Sequence, residues 1–201
     1  MSKVIASIFF LVLPMKALAQ QHNWVQITGG REEQTYPFND FGIEGGFYFG
    51  ENFYTRGSYI DSRETNGGLD NNALYYKHKV VETGVTLPLN ETMSIELGLL
   101  HQKSDYKHVE KGGVRASGNY VDSSITGTGY GFRLVFSGTN DLSGSLGYGK
   151  TNYPTVSNDN LHLEVRKSIT KNIYGLAGYN YAGRTGFHMY TWKLGVGYRF
   201  D

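Results

Sequence analysis

The chain has 201 residues, no cysteine and a formal net charge of +1, which allows one domain with a core of its own and excludes disulfide staples and thiolate metal sites. A nucleic-acid partner would demand a basic excess that this balance does not supply. The 27 glycines and 16 tyrosines, set against 4 prolines, point to a strand-rich protein rather than a disordered or collagen-like one.

Residues 1–19 differ in character from the rest. Lys3 is followed by an almost wholly apolar run from Val4 to Met15, and Ala17-Leu18-Ala19 supplies small residues around a cleavable bond. These features predict a secretory signal peptide, with the mature domain spanning 20–201. The run is shorter than the ~20 residues a membrane-spanning helix requires, and no later stretch is long enough either.

From Trp24 onward the hydrophobic period is two. Strands are predicted near 24–32, 40–49, 53–63, 74–89, 92–107, 124–137, 142–152, 160–170, 173–182 and 188–200. Tight links at Gly50-Glu51-Asn52, Asn90-Glu91, Thr139-Asn140-Asp141 and Lys171-Asn172 are built from turn-forming residues. Looser links fall near 32–40, 64–72, 109–122, 152–160 and 182–186, so short and long connections alternate. The first pair of strands has the weakest pattern, which leaves eight strands as an alternative to ten. Such a meander pairs each strand with the next.

Parity divides each strand into two faces. In the closing segment, Tyr190, Trp192, Leu194, Val196, Tyr198 and Phe200 form one set, and Thr191, Lys193, Gly195, Gly197 and Arg199 the other. Elsewhere the oily set includes Phe41, Ile43, Phe47, Val81, Leu97, Leu99, Phe132 and Leu163, while the opposite set is rich in Gly, Ser and charge. Only the segment Ile173–Tyr181 has no clear winner. Alternation alone fits either a soluble barrel with the oily set inside or a membrane barrel with it outside. Volume decides between them, because a barrel of eight to ten strands encloses too little space for so many large side chains, whereas Gly and Ser fit. The expected fold is therefore all-β: a closed antiparallel up-and-down transmembrane β-barrel of about ten strands. Closure follows because lipid offers no partner to a bare backbone edge.

The alternating meander, the short links at one end and long links at the other, the leader and the terminal Tyr198-Arg199-Phe200 together resemble the small bacterial outer-membrane β-barrel proteins, the OmpA/OmpX-like barrels and their ten-stranded relatives. The resemblance spans essentially the whole mature chain. It implies a Gram-negative outer-membrane location, long loops facing the cell exterior and recognition of the closing aromatic by the barrel-assembly machinery during biogenesis. It also implies contact with outer-membrane lipid, lipopolysaccharide included.

Two groups of charged residues stand out. Parity places Glu44, Arg56, Glu82, Glu96, Arg133, Glu164, Arg166, Lys193 and Arg199 inside, and the mixed signs predict a salt-bridged plug, since unpaired buried charge costs several kcal/mol. The rival reading of the same residues is the constriction of a narrow, porin-like channel. Arg63, Lys77, Lys79, Lys103, Lys107 and Lys150 fall on the outer parity at the loop ends of their strands. Lys79 and Lys103 stand about 28 Å from the tight turns, beyond an apolar band of about 25 Å. They are candidate contacts for lipopolysaccharide phosphates, with ordinary snorkelling as the alternative.

A catalytic role finds little support. His78, His101, His108 and His188, with Asp61, Asp105 and Asp122, are the candidates, but parity sends His78 and His101 to opposite faces. The segment "GFHMYTW" carries Tyr190 where a lipid-A deacylase-like His-x-Ser would carry its nucleophile. No cofactor and no metal-ligand spacing are evident. The expectation is a non-enzymatic, monomeric envelope protein of structural or surface-interaction type, whose loops are available for binding.

Overall fold

In the computed structural model, residues 22–33, 38–50, 52–64, 72–110, 123–138, 141–184 and 187–200 are described. They form ten strands: β1 (Asn23–Glu33), β2 (Phe38–Phe49), β3 (Phe53–Glu64), β4 (Asn72–Pro88), β5 (Met93–Glu110), β6 (Ser123–Ser137), β7 (Leu142–Asn152), β8 (Ser157–Ser168), β9 (Ile173–Arg184) and β10 (Phe187–Phe200). Each strand pairs antiparallel with the next, and β1 pairs with β10 from Asn23↔Phe200 to Glu33↔Tyr190, closing the barrel. The count is ten, and the weakly patterned first pair is fully part of the sheet. The proposed leader, residues 1–19, lies outside the described residues.

The tight links form where turn chemistry predicts them. Gly50 adopts φ +65°, a left-handed conformation open to glycine, and Asp141 adopts φ +59°, which aspartate tolerates better than most side chains. The Asn90 side chain accepts from Thr92 N at 2.9 Å, while Leu89 N donates to Met93 O at 2.9 Å, fixing the β4–β5 register. At the other end two connections are shorter than the sequence suggests. β8 begins at Ser157 rather than near 160, leaving only 153–156 between strands, and β9 and β10 are separated by two residues. Polar residues such as Asn158 and Asp159 extend the ladder against Thr151 and Lys150; their polarity reads as loop, but backbone pairing continues past the apolar band.

The faces are inverted relative to a water-soluble protein. The buried set is mostly polar and includes Gln26, Thr28, Glu82, Glu96, Gln102, Glu164 and Lys193, whereas Leu99 and Leu194 are 74% and 69% exposed. Five of the six buried apolar residues are Trp or Tyr, which carry a polar group to place inside. The segment left ambiguous by parity resolves in the same sense: Tyr174 and Leu176 point inward, while Ile173 is exposed. Aromatic side chains cluster at both ends of the exterior. Phe47 packs on Phe200 with ring centroids 5.7 Å apart and Phe49 on Phe53 at 6.0 Å near the tight turns, while Tyr179–Trp192 at 4.5 Å and Tyr181–Tyr190 at 5.2 Å mark the opposite end. From Tyr190 to Tyr198 a strand tilted by ~40° climbs about 20 Å.

Candidate functional site: a charged layer across the lumen

The interior-facing charges come together in two joined clusters. In the first, Glu96 accepts from Arg56 at 2.9 Å, from Arg133 at 3.2 Å and from Tyr48 at 2.7 Å. Glu82 lies 3.6 Å from Arg56 and 3.5 Å from Arg133, and Tyr54 donates its hydroxyl proton to the same carboxylate. In the second, Lys193 bridges Glu44 at 3.0 Å and Glu164 at 2.8 Å, while Arg166 contacts Glu164 at 2.6 Å. Gln26 donates to both carboxylates, Glu44 at 3.3 Å and Glu164 at 3.2 Å, and accepts from Tyr174 at 3.0 Å. Trp24 connects the clusters, with the guanidinium carbons of Arg166 and Arg56 at 4.4 and 5.7 Å from its ring. Arg199 stands apart from the ion pairs described: it donates to Ser168 at 2.9 Å and to Ser143 at 3.4 Å and lies 4.9 Å from the Tyr174 ring.

Four acids and four bases in mutual contact form a neutral set, so each charge finds its counter-charge where water is scarce. Tyr48, Tyr54 and Gln26 supply hydrogen bonds that complete the carboxylates. Sequence reading missed these residues together with Trp24 and Tyr174. For Trp24, Tyr54 and Tyr174 the signal is an inward aromatic opposite an inward glycine on the neighbouring strand: Trp24 is paired with Gly46, Tyr54 with Gly84 and Tyr174 with Gly197. The glycines are the negative image of the network. A methyl group at Gly46 would sit 2.7 Å from the Trp24 indole nitrogen, at Gly98 2.7 Å from Glu82, at Gly178 2.7 Å from Lys193, and at Gly197 within the Tyr174 ring.

The layer separates two cavities. One of ≈ 260 Å³ extends toward the loop end between Asp40, Tyr76, His78, Gln102, Asn180 and Thr191; the other, of ≈ 70 Å³, lies toward the tight turns. Glu44, Arg56, Arg133 and His162 line both. Two imidazoles are fixed within the lumen: His78 by Gln102 and by Ser104 at 2.9 Å, and His162 by Ser145 at 3.2 Å and Asn180 at 2.8 Å. The Ser145–His162–Asn180 chain has the connectivity of nucleophile, base and orienter. Both neighbours of β7 occupy its backbone N–H groups, however, leaving no amide pair there to hold an oxyanion.

The rim cations lie on the outer surface of β3, β4 and β5. Lys79 and Lys103 both contact Asp105, at 3.4 and 3.5 Å, and Arg63 contacts Asp61 at 3.2 Å. Lys77 is exposed and sits between Asp61 and Asp105 in register, and Lys150 lies opposite Asp159. The Lys107, His108 and His188 side chains, and Asp122 altogether, lie outside the described residues. His101 is exposed on the exterior while His78 lines the lumen, so the two are not brought together. Asp61 and Asp105 serve the rim cations. Among the described residues no group of three or more metal-ligating side chains occurs.

No protein-family model matches the chain, and no curated protein matches it in sequence. Its structural neighbours are outer-membrane β-barrels. They include Ail, the attachment invasion locus protein of Yersinia pestis (19% identity, TM-score 0.41, 89% of this chain and 97% of that one), and Neisserial surface protein A (13%, 0.42, 89% and 96%). The KdgM porin is a third (11%, 0.40, 88% and 99%). This chain is a closed, ten-stranded, all-antiparallel up-and-down β-barrel with a charged layer across its lumen.

Proposed function

We propose that the protein is an integral membrane barrel of the bacterial outer membrane with a structural or surface-interaction role, non-enzymatic, its lumen closed by the ion-pair layer and its loops available for binding. The carrying observation is the inversion of faces: Leu99, Leu194, Val196 and Trp192 project outward while Glu96 and Glu164 are buried. Hydrocarbon suits such an exterior, and the closed ladder leaves no unpaired strand edge within it. The two aromatic clusters fit the two interfaces of a bilayer. Export through the leader at residues 1–19 and handling by the barrel-assembly machinery belong to the same proposal.

Closure of the lumen rests on the neutral, cross-bonded layer lying between the two cavities. Reconstitution into planar bilayers tests insertion and closure together. The expected result is stable insertion without steady conductance in the native protein, and leak on substituting Glu96→Gln. A steady native conductance abolished by Glu82→Gln or Arg133→Gln would instead establish the second reading, a narrow channel for small ions or solutes, which the cavities on either side of the layer favour.

The rim cations on β3–β5 support a partner as well. Arg63, Lys77, Lys79 and Lys103 stand beyond the apolar band on three adjacent strands, where lipopolysaccharide phosphates would lie in an outer leaflet. Replacing Lys77, Lys79 and Lys103 together with Gln is expected to weaken binding of purified lipopolysaccharide to the micellar protein. Unchanged binding would reject this contact.

A further inference from the structure

We infer that the larger lumen cavity is a binding site for one neutral sugar ring, entering from the loop end. Its floor is the charged layer, where acids and bases are already paired with one another, so the floor offers a ligand no net charge. Its walls are of two kinds. On β8 to β10 stand Asn160, Asn180 and Thr191, with Thr191 directly opposite Asn180 in the ladder and Asn160 one diagonal step away. Asn180 accepts from His162 through its carbonyl oxygen, which leaves its amide Nδ2 to donate. Asn160 and Thr191 form no side-chain hydrogen bond among the described residues. All three are partly accessible, and none of their polar atoms is both unpaired and sealed inside the protein.

Across the lumen, on β4 to β7, the wall is apolar or bare backbone: Val80, Leu100, Gly131 and Gly149. The polar groups on that side are bonded to one another, Thr151 to Gln102 and Gln102 to His78. Gly131 and Gly149 differ from the glycines that the ion-pair network requires. A methyl group at Gly131 would meet nothing closer than Glu82 at 3.5 Å, and at Gly149 nothing closer than Leu100 at 3.4 Å, both ordinary contacts. The protein's own packing does not demand glycine there; the missing side chains give the cavity its width. At ≈ 260 Å³ it falls just below the ~300–1,000 Å³ of pockets for drug-sized ligands, so a single ring fits and a chain does not. A sugar ring matches both walls, because its hydroxyls donate to and accept from amide and hydroxyl groups while its C–H face packs on Leu100 and bare backbone. Asp40, the one carboxylate of the lining outside the layer, makes an organic ammonium the rival ligand. Asn180 Nδ2 can only donate, however, and an ammonium has nothing with which to accept. The site stands whether or not the layer below it conducts.

Saturation-transfer NMR on the full-length protein in micelles of a sugar-free detergent tests the site, with methyl β-glucoside and methyl β-galactoside as probes and butylammonium as competitor. The expected result is saturable binding of at least one glycoside in the millimolar range, undisturbed by butylammonium. Asn160→Ala should weaken it about tenfold, as loss of one hydrogen bond would, and Gly131→Leu, which fills the cavity, should abolish it, while Lys171→Gln at a distant tight turn leaves it unchanged. No saturable signal from either glycoside would overturn the site, as would binding that persists in folded Gly131→Leu; displacement by butylammonium would replace the sugar by an amine at Asp40. Should Gly131→Leu fail to fold, Asn160→Ala decides the question, and binding unchanged in that variant would reject the proposal.

Discussion

Within the layer, single side chains carry unequal burdens. Glu96 is 1% exposed and accepts from two arginines and a tyrosine, so Glu96→Gln leaves Arg56 and Arg133 without their shortest partner. Breaking a buried pair from one side costs ~3–5 kcal/mol, and urea unfolding from micelles should show a loss of that order. The contrast is Arg63→Gln at the rim, where Arg63 is 68% exposed and its pair with Asp61 is solvent-screened; a change within ~1 kcal/mol is expected there. Gly46 tests the steric complement of the network. A Val at this position collides with the Trp24 indole and should destabilise by ~1–3 kcal/mol in the same assay, whereas Gly45→Val projects to the exterior beside a carbonyl of Trp24 at 3.3 Å and should cost less.

At the scale of the strand, β10 shows how much parity reveals. Tyr190, Trp192, Leu194, Val196 and Tyr198 are all exposed, and Lys193 between them is buried against Glu44 and Glu164. A two-residue period needs no partner information, so the assignment of faces was legible from sequence in most strands. It failed to decide β9, because Tyr174 and Leu176 are large side chains on the lumen face, admitted only where Gly197 and its neighbours make room across the ladder. Strand ends were less legible for a related reason: beyond the apolar band the alternation vanishes while hydrogen bonding continues, as in β8 from Ser157. Leu194 lies midway between the aromatic clusters, so Leu194→Arg should cost ~2–4 kcal/mol of folding free energy into a bilayer, and Tyr198→Arg only ~0–1. Equal costs at the two positions would deny the band its depth profile.

For the whole molecule, the sequence makes the ingredients of the lumen visible without its wiring. Parity identifies which charges point inward, but which acid meets which base depends on the stagger of strands around a closed barrel, and that register is absent from any single strand. Glu96 on β5 meets Arg56 on β3, and Glu164 on β8 meets Lys193 on β10; both pairs reach across an intervening strand. The tyrosines and Gln26 that complete the carboxylates are likewise recognisable only after closure. The chain's lack of cysteine makes the inverted architecture open to direct measurement, because single cysteines introduced at 191 through 197 can each carry one spin label. Relaxation by oxygen, which concentrates in lipid, is compared with relaxation by a water-soluble nickel chelate in reconstituted bilayers. The account predicts high oxygen and low nickel accessibility at 192, 194 and 196, reversed or quenched at the alternate positions; the opposite phase, or no alternation, would contradict a barrel whose apolar face meets lipid.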